Sequence, residues 1–230
     1  MKEISVREML ANAVHFGHKK TTWNPKMKTY IHGAMGDVHV FDLNKTAKAL
    51  KEACDFLNRA SREGKTILFV STKPQTKVLF EEFQKEVGVP IIVNKWIGGL
   101  LTNQKTISAR IRKFKDLKEM VKTGEIEKFT KKEQAKLKKD LEKLEEAFGG
   151  IEKMHRKPDV MFVVDGKRDK NALKEAEILG IPVVGICDSN ADPDLYDLAV
   201  PANDDAISSL TYILSFIFDA VKEGKNKSNR

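Results

Sequence analysis

The sequence predicts an α/β protein built on a doubly wound, mainly parallel sheet of the flavodoxin or Rossmann kind. Short β-rich runs alternate with segments of helical periodicity along most of the 230 residues. Several of these runs are apolar at every position, as in parallel strands that helices cover on both faces. No stretch reaches the roughly 18 uninterrupted apolar residues that a membrane span needs, so we expect a protein without a membrane partner.

Six runs are predicted as strands, and four longer segments as helices between them. The strands are residues 38–42, 66–72, 90–94, 159–165, 182–188 and 198–201. The helices are residues 44–63, 75–87, 170–179 and 204–221. The first ten residues lack the apolar region of a signal peptide, which predicts a short amphipathic helix and a cytoplasmic protein.

Residues 104–157 are predicted to be an inserted, antiparallel coiled-coil hairpin, because apolar side chains recur at three- and four-residue steps. The first helix carries Ile107, Ile111, Phe114, Leu117 and Val121, and the second carries Leu137, Leu141, Leu144 and Phe148. Thr130 and Glu133 form a capping-box pattern that starts the second helix. The predicted domains are a core of residues 1–103 and 158–222, the insertion 104–157, and a basic, disordered tail 223–230.

Positive charge is concentrated in the insertion. It holds seventeen Lys and Arg against ten Asp and Glu, a net +7 of the chain's formal +8. Residues 1–36 add six basic and two acidic side chains, whereas residues 159–205 hold four basic and eleven acidic ones. A basic arm on a near-neutral body predicts a polyanionic partner. The acidic segment is expected to face protein or solvent.

Motifs for catalysis are missing from the sequence. It has no GxGxxG or GxxxxGK(S/T) phosphate loop and no GxSxG nucleophile elbow. Cys54 and Cys187 both lie in apolar patterns typical of buried, reduced thiols. We therefore expect a protein that is not an enzyme. The turn Gly166-Lys167-Arg168 could contact a phosphate, so a nucleotide-binding α/β protein stays open as an alternative.

Histidines and aspartates form a weaker candidate for a metal site. His15 and His18 are three residues apart, a spacing that would bring two imidazoles together on a helical turn. Oxygen ligands for a divalent ion could come from Asp188, Asp204 and Asp205. Turn formation and helix capping are the simpler interpretation of these aspartates. The sequence requires no cofactor, and a bound divalent ion stays an open alternative.

Cations interleaved with aromatic and polar side chains give the candidates for RNA contact. They are Lys19, Lys20, Trp23, Lys26 and Lys28 near the N-terminus, Lys73, Lys95, Trp96, Thr102 and Asn103 in loops after two strands, and Lys105, Arg110, Arg112 and Lys113 in the insertion. Loops after strands carry the functional residues of many α/β sheets. The alternative is structural: Trp23 would fix its segment on the sheet, and residues 96–103 would form the turn into the insertion.

Six motifs, taken in order, carry a family resemblance. They are VHFGH at 14–18, WNPKM at 23–27, ILFVSTK at 67–73, WIGGLLTN at 96–103, GIPVVGICDSNADPD at 180–194 and NDDAI at 203–207. Together they closely resemble the bacterial-type ribosomal protein S2 family of the small subunit, over residues 4–222. The insertion is similar to that of the bacterial and organellar form of the family. Ser71 and Ala202 depart from its pattern, in which glycine is usual.

The resemblance implies a structural constituent of the small ribosomal subunit that binds small-subunit rRNA, supports subunit assembly and has no enzymatic activity. It also implies neighbouring small-subunit proteins as partners, docking of ribosomal protein S1, and no small-molecule substrate. The alternatives to a ribosomal role are a nucleotide-binding α/β protein and a coiled-coil scaffold that acts independently of RNA.

Overall fold

The computed structural model describes residues 3–154 and 156–228. Its helices are α1 (Val6–Ala11), α2 (Leu43–Arg62), α3 (Pro74–Val87), α4 (Gln104–Lys122), α5 (Lys131–Phe148), α6 (Lys170–Leu179) and α7 (Ile207–Ser228). Its strands are β1 (Phe16–Lys19), β2 (Ile31–Met35), β3 (Val38–Phe41), β4 (Ile67–Val70), β5 (Ile91–Ile92), β6 (Val160–Val163), β7 (Val183–Cys187) and β8 (Leu198–Pro201). Short 3₁₀ helices lie at Pro25–Tyr30, Glu125–Lys128, Gly149–Ile151 and Pro193–Leu195.

A five-stranded parallel sheet in the order β5-β4-β6-β7-β8 forms the centre of the fold. Every pairing in it is parallel, with Phe69 opposite Phe162 and Val184 opposite Leu198. Counted within the sheet, this is the 2-1-3-4-5 order of flavodoxin-like folds. The α/β class and the parallel sheet are therefore confirmed, as are the five strands predicted from residue 66 onward.

Alternate side chains of the sheet enter two apolar clusters, one on each face. Phe69 and Phe162 lie in the cluster with α2, α3 and α7, whereas Leu68 and Met161 lie in the cluster with α6. All four residues of β4 are buried, which explains why this strand is apolar at every position. Each fully buried side chain of this size contributes about 1.5–3 kcal/mol, so both helical layers are held to the sheet.

A second, separate sheet is antiparallel, in the order β1-β3-β2. The strand predicted at residues 38–42 is confirmed as β3, but it lies in this antiparallel sheet and not in the parallel one. Ser189, which follows β7, fixes this sheet to the parallel one. Its Oγ accepts a hydrogen bond from the N–H of His18 at 2.7 Å, and its carbonyl oxygen accepts one from the N–H of Asn24 at 2.7 Å.

The insertion contains two helices, α4 and α5, that contact each other. Ile107 near the start of α4 and Phe148 at the end of α5 are buried in the apolar cluster on the α6 side. Phe114 and Leu117 are buried as well, whereas Val121 near the tip is exposed. The helical pair thus leaves the core and returns to it. Its supercoiling and the predicted domain limits stay predictions.

The restart of the chain into α5 follows the predicted capping box. Thr130 Oγ1 accepts a hydrogen bond from the N–H of Glu133, and the carboxylate of Glu133 accepts one from the N–H of Thr130 at 3.0 Å. Two N–H groups at the N-terminal end of α5 are satisfied in this way, so the prediction of the capping box is confirmed.

The C-terminal helix is longer than the sequence predicts. Residues 223–228 continue α7, so the prediction of a disordered tail is wrong for them; residues 229–230 lie outside the described residues. Close packing on α2 accounts for the extension. A Cβ at Gly224 would lie 2.4 Å from the carbonyl oxygen of Asn58, so only glycine allows this approach.

Candidate nucleic-acid interface

Positive charge within the helical pair is concentrated on α4. This helix has seven Lys and Arg against two Asp and Glu, whereas α5 has six against five. Lys105, Arg110 and Arg112 are exposed, and the described residues place no carboxylate at ion-pair distance from them. Lys113 differs, because its Nζ lies 4.0 Å from Asp140 of α5. The exposed surface of α4 can therefore attract a polyanion without first breaking internal ion pairs.

A second basic surface surrounds β1. Its exposed lysines are Lys19, Lys20 and Lys28. Lys26 is also at the surface, but its Nζ lies 2.9 Å from Asp192 and 2.7 Å from Asp194. Two carboxylates already neutralise Lys26, so it is a weaker candidate for phosphate contact than its neighbours.

Trp23 lies beside this basic surface and has a structural contact. Its ring is 4.9 Å from the ring of His39 in β3, at an angle of 44°. The side chain is half-buried. The contact agrees with the interpretation that Trp23 fixes its segment on the sheet, and the exposed part of the indole stays accessible to a base.

The loop between β5 and α4 is organised by a buried glutamate that sequence reasoning missed. Glu175 of α6 accepts hydrogen bonds from Trp96 Nε1 at 2.9 Å and from the N–H groups of Gly99 and Leu101 at 2.8 and 2.9 Å. It also accepts from the N–H and the hydroxyl of Thr102, both at 3.2 Å. Burial alone would raise the pKa of Glu175, but these hydrogen bonds outweigh burial and lower it. The only sequence signal is its place on the apolar stripe of α6.

Trp96 is consequently a structural residue. It is 8% exposed and its indole N–H donates to Glu175, so little of the ring is accessible to stack on a base, and its contact with RNA stays a prediction. Lys95, Thr102 and Asn103 do lie at the surface. The hydroxyl of Thr102 is occupied by Glu175, and Asn103 caps α4. Only Lys95 among these residues combines exposure with a charge for phosphate.

Lys73 lies in a buried charge cluster rather than on the surface. Its Nζ is 2.6 Å from Asp204 Oδ1, 2.7 Å from Asp205 Oδ1 and 3.2 Å from Asp165 Oδ2. Burial alone would lower the pKa of Lys73, but these carboxylates outweigh burial and raise it. For Asp204, burial and then the carboxylates of Asp188 and Asp165 raise the pKa. Three carboxylates thus pair with Lys73, so its charge is already neutralised within the chain, and its contact with RNA stays a prediction.

His18 borders the charge cluster. Its Nδ1 lies 3.1 Å from Asp188 Oδ1, and its Nε2 lies 3.4 Å from Asp205 Oδ2. One potential ligand atom from each of His18, Asp188 and Asp204 lies within 4.8 Å of the other two. Nitrogen and carboxylate donors at this spacing suit a divalent cation such as zinc. His15 is not in this group among the described residues, and the strand β1 takes the place of the helical turn on which the two histidines were expected to meet.

The remaining candidates for chemistry have structural roles. Burial raises the pKa of Cys54 to about 12 and raises that of Cys187 as well, so both stay protonated thiols, as predicted. The N–H groups of Lys167 and Arg168 donate to Asp165 Oδ1 at 3.0 and 2.8 Å. These are the backbone donors that would cradle a phosphate, and a carboxylate of the chain already occupies them.

Fold and surface together define a class of protein: an α/β protein with a five-stranded parallel sheet and an inserted helical pair whose first helix is basic. Across residues 3–154 and 156–228, no helix has both the length and the apolar content needed to cross a membrane.

Similarity to known proteins places the chain within this class. The family model described as Ribosomal protein S2 matches residues 9–224. Small ribosomal subunit protein uS2 of Petrotoga mobilis is 44% identical over 225 residues, covering 98% of this chain and 78% of that protein. Small ribosomal subunit protein uS2c of Mesostigma viride is 45% identical over 225 residues, covering 98% and 99%. The chain belongs to the ribosomal protein S2 family and is a structural ribosomal protein, not an enzyme.

Proposed function

We propose that the protein is a constituent of the small ribosomal subunit, where it binds small-subunit rRNA and supports assembly and translation. Its location is then that of the subunit, in the cytoplasm or in a plastid. Support comes from the family that the chain belongs to and from relatives named as small ribosomal subunit proteins. Neighbouring proteins of the subunit are the further partners, and a small-molecule substrate has no place in this role.

The charge asymmetry of the helical pair carries the proposal for an rRNA contact. Lys105, Arg110 and Arg112 of α4 are exposed and have no carboxylate at ion-pair distance within the described ranges, so they can displace counterions from RNA phosphates, which is a large source of affinity for nucleic acids. On α5, carboxylates nearly balance the cations, so its attraction is much weaker. A coiled-coil packing of the two helices would make the arm rigid and would hold α4 at a fixed position on the subunit.

Reversing charge on α4 tests this contact. We expect Arg110→Glu combined with Arg112→Glu to lower the fraction of the chain that sediments with small subunits, because two phosphate contacts become repulsive. Both side chains are exposed, so the melting temperature of the free protein should not change.

A matched control lies on the other helix. Lys138→Glu with Lys139→Glu makes the same charge change on exposed positions of α5. The proposal expects this control to incorporate much better than the α4 variant. Equal incorporation of the two variants would contradict a contact through α4, whether both were normal or both were impaired.

The surface around β1 is proposed as an additional rRNA contact. Lys19, Lys20 and Lys28 supply exposed charge there, and the accessible part of Trp23 supplies a stacking surface. Replacing Lys19 and Lys20 with Gln should weaken rRNA binding more at low salt than at high salt. A loss that does not depend on salt would contradict phosphate contacts.

Docking of ribosomal protein S1 is proposed from the family resemblance. The acidic segment 159–205, with eleven acidic against four basic residues, supports a surface that faces protein rather than rRNA. Pull-down of S1 by the tagged chain before and after ribonuclease treatment tests this. Capture that survives digestion supports direct docking, whereas capture lost on digestion means that RNA bridges the two proteins.

We also propose that a divalent cation can bind at His18, Asp188 and Asp204. The ammonium of Lys73 lies on Asp204, so the ion would have to compete with an existing ion pair. Calorimetric titration with Zn²⁺ should show one site that is lost in His18→Ala and kept in His15→Ala. Equal binding by both variants, or no binding by the unmodified chain, would contradict the proposal.

A further inference from the structure

An open, basic cavity lies at the amino edge of the parallel sheet, where β4 begins. Its volume is about 750 Å³. The walls come from four segments far apart in the sequence, residues 61–67, 84–90, 149–154 and 221–228, together with Arg156. Only the fold brings them together, so the charge pattern of the sequence does not reveal this cavity.

Cations dominate the lining of the cavity. They are Lys65, Lys85, Lys153, Arg156 and Lys225. Among the described residues that line it, Glu152 is the one with a carboxylate, and its Oε2 already lies 2.7 Å from Lys118 of α4. Five positive side chains therefore face one carboxylate that is neutralised from outside the cavity.

Part of this charge has a structural role, because α2, α3 and α7 end at this edge of the sheet. A helix C-terminus carries about −0.5 of an elementary charge, so three of them account for about −1.5. Lys225 neutralises one of these ends directly, since its Nζ donates a hydrogen bond to the carbonyl oxygen of Val87 at the end of α3. The five positive charges therefore exceed the partial negative charge of the three helix ends.

Other carboxylates neutralise two more of the cations. Lys65 Nζ lies 2.7 Å from Glu63, and Arg156 Nη2 lies 3.6 Å from Asp159. Within the described ranges, the side chains of Lys85 and Lys153 are exposed and have no carboxylate at ion-pair distance. These two lysines are the ones free to meet an external anion.

The wall that carries Lys153 is fixed against the sheet. A Cβ at Gly150 would lie 2.2 Å from the carbonyl oxygen of Ile91, so the chain passes the edge of β5 at a distance that only glycine allows. Gln84 Nε2 donates to the carbonyl oxygen of Gly150 at 2.7 Å and ties this wall to α3. The fold thus positions the cations on both sides of the cavity before any ligand arrives.

We propose that this cavity binds backbone phosphate of RNA through Lys85 and Lys153, as a contact separate from α4. The inference rests on the proposed rRNA binding and names a second surface for it. A surplus of converging cations suits a phosphodiester, and point charges on flexible lysine stems read phosphate without reading sequence. The contact should therefore contribute salt-dependent affinity and little sequence preference.

The salt dependence of binding to full-length small-subunit rRNA tests the inference. Loss of two phosphate contacts in Lys85→Gln with Lys153→Gln should reduce the slope of log affinity against log salt by about 1.4–1.8. The matched control, Lys48→Gln with Lys51→Gln, removes two exposed charges from α2 outside the cavity and should keep the unmodified slope.

The outcomes separate this inference from the proposed function. A slope equal to that of the control overturns the phosphate contact in the cavity, while rRNA binding by the unmodified chain and its loss in the α4 variant leave the proposed function standing. Failure of the unmodified chain to bind rRNA overturns both. A reduced slope in the cavity variant, together with an unchanged melting temperature, supports the inference.

Discussion

The two edges of the parallel sheet carry opposite charges and use them differently. At the carboxyl edge, the buried Asp165 and Asp204 pair with Lys73. At the amino edge, exposed lysines line an open cavity. Helix dipoles favour both arrangements, since N-termini of helices meet at the first edge and C-termini at the second. The difference lies in the pairing: Lys73 is held by carboxylates at the first edge, whereas Lys85 and Lys153 at the second have no carboxylate at ion-pair distance among the described residues.

This contrast explains why the fold does not determine the function here. In open α/β sheets, ligands usually bind outside the carboxyl ends of the strands, where helix N-termini attract phosphate. In this chain the turn at Lys167 already binds its own Asp165, and Lys73 fills the space among the aspartates. The backbone donors and the buried cation at the carboxyl edge are therefore engaged within the chain, and the surfaces that we propose for an anionic partner are α4, the segment around β1 and the amino edge.

Replacing the buried cation at the carboxyl edge should cause the largest loss of stability that we predict. Lys73→Met leaves the carboxylates of Asp204 and Asp165 buried without their counter-ion, which costs about 3–5 kcal/mol of unfolding free energy. Urea denaturation at pH 7 measures it. Lys95→Met, an exposed lysine in a neighbouring loop, is the control and should change stability little. Similar losses in the two variants would mean that the cluster does not depend on Lys73.

Glu175 accepts hydrogen bonds from the loop before α4, so this buried carboxylate is also paired within the chain. Its replacement should cause the second-largest loss of stability. Glu175→Gln places an amide where a carboxylate accepts from Trp96 and three N–H groups, so we expect a loss of about 2–3 kcal/mol at pH 7. The exposed Glu177→Gln on the same helix is the control.

The pH dependence of this loss has a defined sign. The folded state lowers the pKa of Glu175, so its contribution is complete above the ordinary glutamate pKa of about 4.3 and disappears as the pH falls through the lowered value. The stability difference between Glu175→Gln and the unmodified chain should therefore be constant from pH 6 to 8 and shrink in acid. A difference that grows in acid would contradict the assignment.

The sequence predicts the parallel strands well and the charge clusters poorly, for a physical reason. A strand such as β4 is apolar at every position because both faces are covered, and that pattern is local. The burial of Lys73 and Glu175 depends on partners 131 and 79 residues away in the chain, which no local pattern shows. β1 and β2 escaped prediction because FGHK and IHGAM lack a clear alternation of apolar and polar residues.

The candidate surfaces also differ in whether a local sequence pattern predicts them. Exposure and charge on α4 follow from the helical pattern, so Lys105, Arg110 and Arg112 are found where the sequence predicts a solvated face. The cavity at the amino edge combines four distant segments, so it could be recognised only in the folded chain.

Lys225 at the amino edge tests how much one charge at a helix C-terminus contributes to stability. Its ammonium donates to the carbonyl oxygen of Val87 at the end of α3, so Lys225→Gln should cost about 0.3–1 kcal/mol, the usual size of a charge at a helix C-terminus. Thermal denaturation at low salt measures this loss, and added salt should reduce it. Lys227→Gln, exposed on the same helix, should lose less. An equal loss would show that Lys225 acts only as general surface charge.

The smallest expected effect decides whether the amino edge is a structural surface or a binding surface. Lys85→Gln with Lys153→Gln should change the free energy of unfolding by no more than about 0.5 kcal/mol, because both side chains are exposed and unpaired among the described residues. Urea denaturation of the free protein checks this. A loss above 1 kcal/mol would mean that the lysines are needed by the helix ends, as Lys73 is needed by the aspartates. The two edges would then differ in exposure alone. An unchanged stability together with a weaker salt dependence of rRNA binding would show that the fold keeps these two charges for a partner.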